Sequence, residues 1–237
     1  MRKGITILGI LAAVSYFSVT AFAYETIEVK NGGNIEGVVE FAGATVPKDP
    51  TLKLSSETKY CGKTLPAEKY LIKNRKIENV AVYLTDVKSG KAIPATLLTM
   101  TNLKCAFVPH VAVGFKGGKI IQKNDDPIFH NIHTYVNGRT AYNIGLPEQG
   151  SSATKPLLRD GLMEVTCDSH PWMHGYVEIL DNPYGAVTNA KGEFELKDIP
   201  AGTYTVEAWH EALGKVKEAN VKVEAGKTTR IKIEFKK

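Results

Sequence analysis

Cysteine is rare in this sequence, three residues in 237, and an odd number cannot all be paired. Blocks of like charge are missing too. Basic residues crowd only mildly at 73–76 and 236–237, which excludes the electrostatic footprint of a nucleic-acid-binding protein. Long apolar runs are missing everywhere except near the start, which excludes a multi-span membrane chain. Glycine (21) and proline (11) fall well short of a low-complexity composition. What is there is 43% apolar, 23% charged and 8% aromatic, the make-up of a chain that buries a core of its own. The length allows one large domain or two modest ones, and the supply of turn residues favours short strands. The expected class is all-β.

Arg2 and Lys3 precede an apolar stretch from Ile5 to Phe22, and Ala21-Phe22-Ala23 sets small residues two apart ahead of Tyr24. This is the pattern of a secretory signal peptide over residues 1–23, cut after Ala23. Export to the periplasm, the cell surface or the medium is therefore expected, with no membrane span after cleavage. Without Arg2 and Lys3, 28 basic residues stand against 25 acidic ones, a nearly neutral balance. Export also places Cys61, Cys105 and Cys167 in an oxidising compartment, where a leftover thiol needs another role.

The surroundings of Cys167 supply one. The chain reads Cys167-Asp-Ser-His170-Pro-Trp-Met173-His174-Gly175 between two segments of strand-like alternation. Three extended residues span about 10 Å, so side chains at 167, 170 and 173 meet at one ion only if the loop curls, as Pro171 and Gly175 favour. Thiolate, imidazole and thioether together favour copper over zinc or iron, since structural zinc sites seldom use Met. Copper held by two His and one Cys with a weak axial Met is an electron-transfer site, and the second His has to come from elsewhere. The segment Asp126-Pro-Ile-Phe-His130-Asn131-Ile-His133 offers it. If that segment is extended, His130 and His133 face opposite sides. Asp125 and Asp126, ahead of Pro127, read as turn residues rather than a calcium site. His110 and His210 read as structural, and His174 as an alternative axial donor.

Cys-x2-His-x2-Met with a preceding His-Asn-x-His resembles the small blue-copper proteins, the cupredoxins, and amicyanins most closely. The resemblance covers residues 107–180 and implies a Greek-key β-sandwich carrying one copper ion. By position it assigns His130, Cys167, His170 and Met173 as ligands. It makes Asn131 the residue that ties the His130 loop to the Cys167 loop and helps orient the thiolate. His170, on the projecting loop beside Pro171 and Trp172, is the ligand expected nearest the surface, its ring edge passing the electron. With Cys167 assigned to the metal, Cys61 and Cys105 are left to form a structural disulfide, worth about 4 kcal/mol on the chain-entropy model.

Beyond Leu180, Val187-Thr-x3-Gly192-x-Phe194 and Ile199-Pro-x-Gly202-x-Tyr204 resemble the carboxypeptidase regulatory-like module, a small transthyretin-like β-sandwich that is not itself a peptidase. The expected layout is a copper domain over 24–182, with an N-terminal extension, and the small sandwich over 183–237. Strands at 34–41 and 78–84 belong to the copper domain in the simpler version. In the other, they complete the C-terminal sandwich and the copper fold is an insertion. The expected function is an exported type 1 copper protein carrying single electrons between redox partner proteins. It is not expected to be an enzyme, because the remaining His residues assemble no second copper or substrate-activating cluster. Copper carriage or storage, or an envelope module with a non-redox site, are the alternatives.

Overall fold

The computed structural model describes residues 24–236, so the expected signal segment lies outside the described residues. Among these residues the one α-helix is the short Thr58–Cys61, and no helix is long and apolar enough to cross a membrane. The rest is strand and turn, and the chain is all-β.

Two sandwiches form. In the first, a four-stranded sheet ordered Ala106–Val108, Leu97–Leu103, Lys119–Asn124, Ser152–Pro156 faces a five-stranded sheet. The latter runs Val111–Phe115, His174–Leu180, Gly161–Thr166, His130–Val136, Arg139–Leu146. Period-two alternation decides which side chains fill the space between them. In Lys119–Asn124, for example, Ile120, Gln122 and Asn124 point inward while their neighbours are more exposed. Met100, Ile120, Ile132, Val165 and Val177 share this core with Cys167 and Met173. Ser152–Pro156 is an edge strand; its Pro156 sits at the strand end, where a missing N–H is tolerated.

The second sandwich takes strands from both ends of the chain. Gly33–Phe41 pairs antiparallel with Glu193–Ile199 and parallel with Thr228–Phe235. Ala81–Thr85 lies between Gly185–Val187 and Gly202–His210. These pairings cut across the expected division at 182/183: the strands at 33–41 and 81–85 are hydrogen-bonded to C-terminal strands. The first sandwich is thus inserted into the second. Ala81, Tyr83, Val111, Phe115, Leu180 and Trp209 form an apolar cluster that joins the two.

Candidate metal centre

The Cys167 loop curls as its spacing requires. His170 N–H donates to the Cys167 carbonyl at 3.2 Å, and Met173 N–H to the His170 carbonyl at 2.9 Å. Two successive tight turns therefore bring Cys167 and His170 to the same side. The adjacent strand His130–Val136 pairs with Gly161–Thr166 and so sets His130 at the same end of the sheet.

His130 Nδ1, Cys167 Sγ and His170 Nδ1 converge, all three residues buried. The two ring nitrogens are 3.1 Å apart, and the sulfur lies 3.5 Å from that of His170 and 3.9 Å from that of His130. A triangle with those sides has a circumradius of about 2 Å, close to the metal bond lengths of His nitrogen, about 2.0 Å, and Cys sulfur, about 2.3 Å. The donors fit a trigonal metal without rearrangement. Met173 is buried in the same apolar cluster as Cys167. His174 points away and lies within 3.8 Å of Glu164, and His133 lies on the outer face.

Asp126 holds the His130 ring. The sequence reads it as a turn residue, but its carboxylate is fully buried and 3.0 Å from His130 Nε2. Burial pushes its carboxyl up, yet donors from His130, the Cys105 N–H, the Tyr60 hydroxyl and the Lys104 N–H outweigh this and keep it below the ordinary range. The ionised carboxylate accepts a hydrogen bond from Nε2–H, which leaves the Nδ1 lone pair facing the other two donors. Burial alone would lower the His130 pKa, but Asp126 and Cys167 hold it above the ordinary value. His170 lies below its ordinary value, chiefly through burial and then the neighbouring His130, with Glu57 and Asp126 opposing.

Asn131 lies beside Cys167. Its Oδ1 accepts from the Cys167 thiol at 3.5 Å and from the Ser169 N–H at 3.2 Å, joining the two loops. Its Nδ2 donates to Asp168 and Asn143, and His133 bonds the other Asp168 oxygen. Asp168, Asn143 and His133 thus brace Asn131 from outside.

His170 is not at the surface. It is 3% exposed, and the ring of Trp172 packs on it with centroids 5.0 Å apart. Over Trp172 lies a cap made of the paired strands Thr51–Lys53 and Thr64–Pro66 and the helix between them. The Cys61–Cys105 disulfide ties this cap to the first sandwich. Leu52, Leu54, Leu65 and Ile128 join the disulfide and Trp172 in one small apolar cluster. Of the four expected ligands His170 is still the least buried, as its place on the projecting loop implies, but the sequence does not show that residues 50–66 fold over Trp172 beside it. The roles of Tyr60 and Trp172, and most of that of Asp126, were missed for the same reason, since Tyr60 and Cys105 are distant from their partners in sequence. A searchable signal existed for Asp126: a ligating His needs an acceptor for its second nitrogen, and a carboxylate stands four residues away.

Residues 174–236 match the carboxypeptidase regulatory-like domain family. The regulatory-like match spans much of the second sandwich and omits its strand Gly33–Phe41. Similar solved structures include amicyanin from Paracoccus versutus, with 15% identity over 37% of this chain and 85% of that one, at a TM-score of 0.32. A purple cupredoxin from Nitrosopumilus maritimus shares 22% identity over 35% and 99% of the two chains, at 0.30. A copper-containing nitrite reductase from Thermus scotoductus shares 18% over 38% of this chain, at 0.32; only 24% of the reductase is covered. No curated protein sequence matches the chain. At such low TM-scores the functional reading rests on the donor geometry beside the regulatory-like sandwich, not on these likenesses.

Proposed function

We propose that this chain is an exported carrier of single electrons that holds one copper ion between His130, Cys167 and His170, with Met173 as a weak axial donor, and exchanges electrons with redox partner proteins rather than turning over a substrate. The convergence of two imidazole nitrogens and one thiol sulfur on a buried point carries the reading. Copper supplies the one-electron couple when bound. The chain's own residues supply a site that need not move: Asp126 fixes the His130 tautomer, Asn131 holds Cys167 to the His130 strand, and the apolar core around Cys167 and Met173 excludes water.

Adding Cu(II) to the metal-free chain should produce one intense visible sulfur-to-copper band at one equivalent, bleached by ascorbate and restored by ferricyanide. Cys167→Ala should abolish the band and leave the far-ultraviolet circular dichroism unchanged. A colourless stoichiometric mixture would overturn the reading.

One observation favours copper storage as a second reading: the cap and Trp172 cover His170, which lengthens the path to an outside redox partner and shields a bound ion. Slow ferricyanide oxidation combined with slow release of copper to a chelator would select it.

A further inference from the structure

Cys105 stands at an unusual junction. With Lys104 it forms the two-residue turn between Leu97–Leu103 and Ala106–Val108, and both residues have positive φ, 53° for Lys104 and 62° for Cys105. Such turns favour Asn and Gly, which tolerate that backbone. Here Asp126 stabilises it by accepting both turn N–H groups, from Lys104 at 2.6 Å and Cys105 at 2.8 Å. The same carboxylate accepts from Tyr60, next to Cys61 in the cap, and from the His130 ring. On its other side, the Cys105 carbonyl accepts from Trp172 Nε1 at 3.3 Å, and Trp172 packs on the His170 ring. One residue therefore reaches both imidazoles: His130 through its N–H and Asp126, His170 through its C=O and Trp172. Its side chain is the cap's covalent anchor.

We propose that Cys105 is a positioning residue for both histidine ligands, so that the disulfide-tethered cap is a working part of the metal site, setting the imidazoles and limiting metal exchange. A plain staple could be removed without disturbing either ring. This one cannot, because the crosslink, the strained turn and both ring contacts meet at the same residue. The proposal deepens the copper reading, but its first test needs no metal.

In the metal-free full chain, exchange of the His130 Nε2 proton and the Trp172 Nε1 proton is followed by nuclear magnetic resonance in wild type and in Cys61→Ser/Cys105→Ser. Both ring protons should exchange at least tenfold faster in the double variant while the amides of His130–Val136 keep their protection. Either ring proton staying within twofold of wild type overturns the proposal. If those amides also lose protection, the variant has unfolded and Tyr60→Phe takes its place. That change keeps the disulfide and removes only the cap's hydroxyl from Asp126. It should then speed His130 exchange at least threefold, and an unchanged rate overturns the proposal. In the copper-loaded chain, release of the ion to a chelator should be at least tenfold faster in the double variant, and an equal rate counts against the cap. If wild type takes up no copper, the electron-carrier reading fails while the ring protons still decide this one.

Discussion

Asp126 carries more of the site than any residue other than the donors themselves. Four groups from three stretches of chain donate to it, and two of them belong to a turn whose backbone needs the support. Removing its carboxylate leaves the buried Cys105 N–H, the part-buried Lys104 N–H and an imidazole N–H without an acceptor, a loss of about 3–5 kcal/mol by analogy with broken buried pairs. Asp126→Ala should show that loss in urea unfolding, and a change below 1 kcal/mol would contradict the assignment. Glu178 is the other buried carboxyl with a measurable consequence. Burial pushes its pKa up to about 7, with Lys215 opposing and Glu207 adding to the rise, and its Oε2 has no partner. Because the folded state keeps a proton that the unfolded chain loses near pH 4.5, stability from this group is full below pH 4.5. It declines as pH rises to 7, by about 3 kcal/mol in all. Glu178→Gln should therefore match wild type in melting temperature near pH 4.5 and exceed it at pH 8; parallel pH profiles would refute this. Residues of this kind divide what was legible from what was not. The approach of Cys167 and His170 could be read because it lies in local spacing. Asp126 could be read only in part: its spacing to His130 is local, but the rest of its role depends on residues 60 and 105 arriving beside it.

At the scale of elements, alternation and turn chemistry carried well. Glu193–Ile199 buries Phe194 and Leu196 on one face, as its pattern of apolar and charged residues requires. The cap did not carry, since its two strands are only three residues long and each packs a single leucine, Leu52 or Leu65, toward the disulfide and Trp172. Gly37 tests the strand that unites the C-terminal sandwich. A Cβ there would sit 2.5 Å from the Phe194 ring and 2.9 Å from the Ile231 carbonyl, so both neighbouring strands would have to yield. Gly37→Ala should destabilise the protein by about 1–3 kcal/mol, read from the denaturation midpoint. An unchanged midpoint would mean that the two flanking strands are not packed this closely in solution.

For the whole molecule, the inserted arrangement could be imagined from sequence but not chosen, because Gly33–Phe41 reads as a strand without naming its neighbours. Its parallel partner is Thr228–Phe235, almost two hundred positions away. Residues 183–237 alone should consequently remain unfolded by circular dichroism, lacking both this strand and Ala81–Thr85. Replacing 93–181 with a short Gly/Ser link should preserve a folded outer sandwich, because Leu84 N–H already bonds the Tyr184 carbonyl where the chain leaves and returns. A folded 183–237 fragment would contradict the pairing. Those side-by-side crossings have a mechanical consequence. A domain on one tether swivels, whereas one held by two neighbouring tethers and clamped by rings such as Tyr176 against Trp209 keeps a single heading. Whatever grips the outer frame will find the three converging donors always at the same bearing, with no orientational search left to make.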